Sequence, residues 1–253
     1  MKALITGASS GIGKDMAREL ATKGYNLVLV ARNKGQLEKL GKELKETNPI
    51  EVETISMDLS VVENCKELHK KVQNVDILIN NAGFGDCGNF TKTSLDKEIS
   101  MINTNITAYH ILMKLYLIDM KAKGEGKILN VASIAGFMPG PLMSTYYATK
   151  AYIVRISESI REELKKEKSK VQISILCPGP VNTNFNKVAN VKFHMREASS
   201  MSVAKYAIKK LERGKFYIVP GIDVKLAKIG AKLAPAPLVS KITYMVQKRK
   251  IER

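Results

Sequence analysis

Short apolar runs alternate with charged, amphipathic stretches along most of the chain. The first run, ALIT at residues 3–6, ends at a glycine turn, and NLVLVA at Asn26–Ala31 is an almost unbroken apolar run, typical of a strand buried on both faces. Five more runs are predicted strands: residues 52–58, 76–83, 126–133, 171–179 and 215–220. Helices are predicted between them, at residues 12–22, 35–46, 61–72, 96–120, 146–166 and 202–213.

Strands that alternate with helices indicate βαβ units and a parallel sheet covered on both faces. Because crossovers between parallel strands are right-handed, we predict an α/β fold: a Rossmann-like, doubly wound parallel β-sheet flanked by helices in three α/β/α layers. Residues 1–222 are predicted to form one domain, and residues 223–253 a basic C-terminal extension whose structure the pattern leaves open. The prolines of APAP, residues 234–237, must interrupt any helix there.

Composition changes this picture little. The 253 residues are 45% hydrophobic and 26% charged, as in ordinary globular proteins, and no apolar run reaches the ~18 residues of a membrane span. The opening MKALITG lacks the pattern of a signal peptide, so a cytoplasmic location is the default expectation. Three cysteines without a Cys-x-x-Cys spacing and three scattered histidines predict neither a disulfide framework nor a metal site.

Positive charge is concentrated towards the C-terminus. The formal net charge is +17, and the chain from Lys187 onward holds 16 lysines and arginines against 4 acidic residues. A solvated basic surface is a simpler explanation than nucleic-acid binding, because no nucleic-acid motif accompanies the charge. Contact of the basic tail with a membrane is an alternative, which the prolines and the lack of a clean amphipathic period disfavour.

Glycines follow the first predicted strand in TGASSGIG, residues 6–13. Gly7, Gly11 and Gly13 stand between a strand and a helix, where such a turn lets the backbone approach a pyrophosphate and the helix N-terminus faces its charge. The spacing differs from the commoner Gly-x-Gly-x-x-Gly, and glycine turns also occur for steric reasons. Their position between a first strand and a first helix nevertheless favours nucleotide binding.

The residue after the second strand selects the nucleotide. NAD-binding folds of this kind carry an acidic residue there, about 20 positions beyond the glycines, which bonds the ribose hydroxyls. Here the stretch VARN offers Ala31 and Arg32 and no carboxylate. A guanidinium can pair with a 2′-phosphate in a fork, so NADP(H) is predicted over NAD(H), unless Arg32 is only a surface residue.

Two tyrosines and a lysine lie close together in STYYATKAYI, residues 144–153. On a helix, Tyr146 and Lys150 are one turn apart on one face, and Tyr147, three residues before the lysine, is also possible by this geometry. A nearby ammonium favours the phenolate, so the lysine, with an oxidised nicotinamide, is expected to lower the tyrosine pKa towards working pH. Taken singly, each of these residues is explained as well by packing.

Four stretches occur in one order: TGASSGIG, NNAG at residues 80–83, Ser133, and YYATK at residues 146–150. With Asp58 at a strand end and PGPVNT at residues 178–183, the sequence resembles the single-domain short-chain dehydrogenases/reductases over residues 2–220. It is most similar to the branch of broad-specificity ketone and 3-oxoacyl reductases. Many members assemble as homodimers or homotetramers, so the resemblance implies a homo-oligomer.

The resemblance implies an NADP(H)-dependent oxidoreductase that reduces a ketone, 3-oxo ester or 3-oxoacyl carbonyl to a secondary alcohol, with a tyrosine as general acid and base. The family places its serine 13 residues before the tyrosine and its lysine four after it, which implies Ser133, Tyr146 and Lys150. Of Asn103 and Asn105, the family pattern matches Asn105 as the fourth catalytic residue. A non-catalytic NADP-binding regulator on the same fold is the alternative.

Cofactor-binding residues are also implied by the resemblance. Asp58 would hold the adenine, Asn81 and Gly83 the adenosine side, and Thr183 with the Val181 backbone the nicotinamide amide. The full set is Gly7, Ser9, Ser10, Gly11, Ile12, Gly13, Arg32, Asp58, Leu59, Asn81, Ala82, Gly83, Tyr146, Lys150, Pro178, Gly179, Val181 and Thr183.

A small-molecule substrate would meet apolar side chains beyond the nicotinamide. The predicted pocket residues are Phe137, Met138, Leu142, Met143 and Phe185. Methionines suit varied ligands, although core packing explains these residues as well. Residues 184–200 form a long, irregular segment that resembles a lid. Its Lys187 and Lys192 favour an acidic substrate such as a coenzyme A thioester.

Overall fold

The computed structural model describes residues 1–189 and 197–251. In this part of the chain, the strands are β1 (Lys2–Thr6), β2 (Asn26–Ala31), β3 (Val52–Ser56), β4 (Ile77–Asn80), β5 (Lys127–Val131), β6 (Gln172–Leu176), β7 (Val181–Asn182), β8 (Ala198–Ser199) and β9 (Tyr217–Ile218). The α-helices are α1 (Gly11–Ala21), α2 (Lys34–Thr47), α3 (Val62–Lys71), α4 (Leu95–Ile102), α5 (Ala108–Lys123), α6 (Ser144–Lys166), α7 (Phe185–Val188), α8 (Ser200–Glu212), α9 (Ile222–Leu233) and α10 (Ala236–Ile251).

Seven parallel strands form the central sheet in the order β3-β2-β1-β4-β5-β6-β9. Successive side chains of β1 enter different cores: Leu4 packs on one face of the sheet, and Ala3 and Ile5 on the other. Helices cover both cores, which confirms the predicted doubly wound, three-layer α/β/α fold. The chain leaves β1 towards β2 on one side and continues from β4 on the other, so a crevice opens at the carboxyl ends of β1 and β4.

The predicted helix over residues 96–120 is divided in the structure. A single π turn, Asn103–Thr107, separates α4 from α5. The wider turn carries the Asn105 side chain into the interior, where it is fully buried and hydrogen-bonded to Phe84 and Thr149. Such π turns are frequent at functional sites, and no simple apolar period reveals them.

The C-terminal residues, whose structure the sequence pattern left open, form two helices. The chain breaks at Ala234 and Pro235, between α9 and α10, which confirms that the prolines interrupt the helix. Pro237 lies in the first turn of α10, where a missing N–H costs little. Within the described residues, no helix is long and apolar enough to cross a bilayer.

Candidate active site

A cavity of about 620 Å³ lies over the carboxyl ends of the central strands. Its wall is lined by residues that follow five strands: Gly7 after β1, Arg32 after β2, Asp58 beyond β3, Asn81 after β4 and Ser133 beyond β5. Each of these side chains or turns is presented by the strand before it. Parallel strands therefore bring motifs that are distant in sequence to one edge of the sheet.

The glycine turn between β1 and α1 needs glycine for two different reasons. Gly7 and Gly11 have φ angles of +65° and +54°, a left-handed conformation that favours glycine. A Cβ at Gly13 would overlap the Asn81 side chain and the Gly7 carbonyl oxygen. Gly7 and Gly11 line the cavity, whereas Gly13 lies behind the turn and permits its close packing.

The start of α1 suits a pyrophosphate. Ser10 precedes the helix in extended conformation, and its side chain makes no capping hydrogen bond to the described residues. The first N–H groups of a helix have no partner within the helix and carry its positive dipole end, so they can bind an anion. Ser9, Ser10 and Ile12 line the cavity at this point.

Asn81 holds the turn from the neighbouring strand. Its Nδ2 donates to the carbonyl oxygens of Thr6 and Gly7 at 3.0 and 3.1 Å, and its backbone N–H donates to Thr6 Oγ1 at 2.9 Å. Ala82 N–H donates to the same hydroxyl at 3.0 Å. The NNAG motif therefore holds the glycine turn in place at the cavity wall.

The end of the cavity beside β2 and β3 is polar. Arg32 is exposed and forms no ion pair with a described residue. Asn33, which accepts a hydrogen bond from Gln36 N–H at 3.0 Å, and Gln36 itself line the wall beside it. These two residues were not predicted; their place in the first turn of the helix after β2 was the available signal. Asp58 accepts from Ser60 N–H at 2.9 Å.

Ser133, Tyr146 and Lys150 meet at the other end. Ser133 follows β5 and accepts a hydrogen bond from Ala135 N–H at 3.2 Å, and its hydroxyl is close enough to Tyr146 to favour ionisation of the phenol and so to lower its pKa. Lys150, one turn after Tyr146 on α6, is buried and donates to the Val131 carbonyl oxygen at 2.9 Å. Its Nζ lies 5.8 Å from the centroid of the Tyr146 ring.

Burial dominates the ionisation of this group. It raises the pKa of Tyr146 well above its usual value, although the nearby Ser133 hydroxyl opposes the change. Burial also lowers the pKa of Lys150 to about 8. The expected lowering of the tyrosine pKa by Lys150 is therefore not seen in this structure, because the ammonium is directed at the Val131 carbonyl and desolvation is the larger effect.

Asn105 lies behind the cavity wall. Its Oδ1 accepts from Phe84 N–H at 3.1 Å, and its Nδ2 donates to the Phe84 carbonyl at 2.9 Å and to Thr149 Oγ1 at 3.1 Å. A Cβ placed on Gly83 would lie 2.9 Å from Asn105 Oδ1 and 3.6 Å from Lys150 Nζ, so both polar atoms border the same glycine. Neither Asn105 nor Asn103, the other candidate, is among the cavity-lining residues, but only Asn105 is fully buried against Gly83 and Phe84.

The cavity is apolar beside Tyr146. Met143, Tyr147 and Phe185 line it, and the Phe185 ring lies 5.2 Å from that of Tyr146 between centroids. Phe137, Met138 and Leu142, which were predicted to line the same pocket, lie outside its wall. Phe137 packs instead beside α9, with Lys228 Nζ 4.6 Å from its ring centroid.

Tyr147 connects the cavity to the C-terminal helix. Its hydroxyl accepts a hydrogen bond from Gln247 Nε2 of α10, and Gln247 is buried while its Oε1 has no partner among the described residues. Sequence reasoning missed Gln247, because no local pattern links two residues a hundred positions apart. Burial raises the pKa of Tyr147 to about 12.

Seven of the remaining predicted residues line the cavity: Leu59, Ala82, Gly83, Pro178, Gly179, Val181 and Thr183. Lys192 lies outside the described residues, as does the side chain of Lys187. No group of three or more histidine, cysteine, aspartate or glutamate side chains in the described ranges is placed to hold a metal ion.

Comparison with known proteins places the chain in a family. The short chain dehydrogenase family model matches residues 1–192. Very-long-chain 3-oxoacyl-CoA reductase-A of Danio rerio is 34% identical over 199 residues, which are 74% of this chain and 60% of that protein, so less than two thirds of that relative is covered. The 11-beta-hydroxysteroid dehydrogenase-like 4A of Arabidopsis thaliana is 31% identical over 249 residues, 94% of this chain and 82% of that protein.

A solved structure agrees with the sequence relatives. The short-chain dehydrogenase from Sphingobium yanoikuyae in complex with NADPH has a TM-score of 0.83 and 29% identity, covering 87% of this chain and 88% of its own. Its fold, the family match and the shared motifs point the same way. The chain therefore belongs to the short-chain dehydrogenase family of oxidoreductases.

Proposed function

We propose that the protein is an NADP(H)-dependent carbonyl reductase that converts a ketone, 3-oxo ester or 3-oxoacyl group into a secondary alcohol. One observation carries the proposal: Ser133, Tyr146 and the buried Lys150 border a cavity that extends to the exposed Arg32. A nicotinamide bound in this cavity would supply the hydride. The glycine turn and the uncapped start of α1 fit its pyrophosphate.

Tyr146 is the proton donor in this mechanism. Its raised pKa means that the hydroxyl is protonated at neutral pH. The proton passes to the carbonyl oxygen as negative charge develops there, because an alkoxide is a stronger base than a phenolate. Ser133 Oγ–H donates a hydrogen bond to the same oxygen and stabilises the developing charge. Phe185 packs against Tyr146 and shields the reacting group from water.

Lys150 restores the proton. With a pKa of about 8, its ammonium can give up a proton near neutral pH, and it lies one helical turn from Tyr146. Asn105 Oδ1 and Lys150 Nζ both border Gly83. A water held between these two atoms would carry protons to and from Lys150. Asn105 also positions the loop after β4 through its three hydrogen bonds.

Arg32 supports NADP(H) over NAD(H). It stands at the end of β2 on the cavity wall, next to Asn33 and Gln36, and its guanidinium can form a fork with a 2′-phosphate. The related Sphingobium yanoikuyae enzyme was solved with NADPH. The apolar lining of Met143, Tyr147 and Phe185 favours a substrate whose carbonyl carries hydrocarbon groups.

A spectrophotometric screen tests this function. NADPH and NADH are each combined with ketoesters, aldehydes, steroid ketones and 3-oxoacyl thioesters, and oxidation of the cofactor is followed. We expect turnover with NADPH and at least one ketone class. A preference for NADH would contradict the role of Arg32. Tight NADPH binding without turnover of any carbonyl would favour the non-catalytic regulator instead.

A further inference from the structure

The outer face of α9 is apolar and open to solvent. Ile222, Leu226, Ile229 and Leu233 are 75, 63, 55 and 79% exposed. Their spacing of four, three and four residues places them within an arc of about 60° on a helix with 3.6 residues per turn. None of the residues of α9 is fully buried. The helix therefore presents a continuous aliphatic stripe away from the protein.

The next helix repeats the pattern 16 residues later. Leu238, Ile242 and Met245 of α10 are 51, 48 and 48% exposed and have the same spacing as the first three residues of the α9 stripe. Val239, Thr243 and Gln247 form the buried face of this helix. With the helix boundaries set on either side of Pro235, α9 is clearly amphipathic, whereas α10 is only weakly so, because its buried face carries the polar Thr243 and Gln247.

Lysines flank both stripes on one side. Lys225 and Lys232 stand three and ten residues after the start of the α9 stripe, and Lys241 and Lys248 occupy the same positions in α10. Apolar residues on one arc with lysines beside them are typical of helices that lie in a membrane interface. A purely solvated basic surface would not need nine large exposed apolar residues between positions 222 and 246.

A basic cavity adjoins the α9 stripe. It has a volume of about 510 Å³ between α8, β9 and α9, and Ile229 of the stripe forms part of its wall. No acidic residue is among the described residues that line it. Its wall carries five lysines: Lys210, Lys215, Lys225, Lys228 and Lys232.

These five ammonium groups make no ion pair within the described chain. Lys228 lies over the Tyr217 ring, 3.1 Å from its centroid, and Lys210 lies 5.4 Å from the centroid of the Tyr206 ring. Two of the lysines thus lie over aromatic rings, and Glu158 is close enough to Lys228 to attract its charge without a direct ion pair. Such a cluster is complementary to phosphate groups.

We propose that α9 and α10 dock the protein on an anionic lipid bilayer, with the aliphatic stripes in the interface and the lysine cavity on the headgroup phosphates. A second copy of the chain fits less well, because a two-fold contact over this face would bring its lysines together. A nucleic acid would satisfy the lysines but leave the stripes exposed to water. A bilayer surface satisfies both.

Vesicle sedimentation of the full chain tests the proposal. The vesicles are phosphatidylcholine alone, or phosphatidylcholine with about 30% phosphatidylserine, which gives the surface a negative potential. We expect the chain to bind the anionic vesicles and to dissociate at about 0.5 M salt, where screening is strong. The paired change Ile222→Gln with Leu226→Gln should lower the partition coefficient at least tenfold.

Control variants on other helices test whether a loss of vesicle binding is specific to α9 and α10 or follows from any loss of exposed apolar residues or lysines. Leu95→Gln with Ile99→Gln alters the same residue types at the same spacing and at the same position in α4, and both side chains are exposed there. Lys225→Gln with Lys232→Gln should weaken binding and reduce its salt dependence, whereas Lys39→Gln with Lys45→Gln on α2 removes the same charge at the opposite edge of the sheet. Thermal melting confirms that each variant is folded.

Several results would overturn the proposal. Failure to bind anionic vesicles, equal binding to neutral vesicles, or unchanged binding of the Ile222→Gln/Leu226→Gln variant would each do so. A dimer that this variant dissociates in sedimentation velocity, without vesicle binding by the unmodified chain, would identify the face as a subunit contact. All of these readouts are independent of turnover.

Discussion

The two ends of the main cavity are built in different ways. At the cofactor end, each residue stands directly after a strand: Gly7 after β1, Arg32 after β2 and Asn81 after β4. At the substrate end, Tyr147 and Phe185 come from separate helices, and Gln247 reaches Tyr147 from the C-terminal helix. The cofactor end thus follows from strand order, whereas the substrate end depends on how helices pack.

Replacing Tyr146 by phenylalanine should lower turnover more than any other change while leaving NADPH binding nearly unchanged. The change removes the proton donor but leaves the ring against Phe185, so we expect kcat to fall by about 10³-fold, within the range for general acid catalysis. NADPH binding, measured by fluorescence titration, should stay within a few-fold of the unmodified protein. A variant that retains most of its turnover would show that another group donates the proton.

Replacing Arg32 by alanine should affect the cofactor end alone. An exposed ion pair is worth up to about 1 kcal/mol, so the Kd for NADPH should rise roughly fivefold while that for NADH stays the same. Lys34→Ala is the matched control, since it removes a nearby charge that does not line the cavity. Equal losses for both cofactors would argue that Arg32 supports the local fold and does not read the phosphate.

The sequence predicts the strand-built end of the cavity better than the helix-built end. The alternation of strands and helices predicted the sheet, and residues predicted at strand ends, such as Arg32 and Asn81, lie on one cavity wall because parallel strands share an edge. Phe137 was predicted to line the pocket but lies outside its wall, because its side chain packs beside α9, a helix whose position no local pattern reveals. Gln247 was missed for the same reason, since its contact with Tyr147 exists only after α10 has packed.

The pH dependence of carbonyl reduction should report on Lys150. Its pKa is lowered to about 8 by burial, so the ammonium is present below this pH and is lost as the pH rises through it. With the proton supply lost, kcat/KM should fall by about tenfold per pH unit above this value. A Lys150→Arg variant with residual turnover should lack this limb, because a guanidinium stays charged. A flat profile up to pH 10 would contradict the role of Lys150.

Breaking the Tyr147–Gln247 contact should have the smallest effect on catalysis. Tyr147→Phe leaves the buried Gln247 amide without a partner, which should lower the free energy of unfolding by about 1–3 kcal/mol, while kcat falls no more than about threefold. Gln247→Met has a similar shape without polar atoms, so adding it to Tyr147→Phe should recover most of the lost stability. Chemical denaturation and steady-state kinetics of the two single variants and the double variant measure this coupling. A loss of turnover by Tyr147→Phe as large as that of Tyr146→Phe would assign the proton donor to the neighbouring tyrosine, and the substrate end would have to be rebuilt around it.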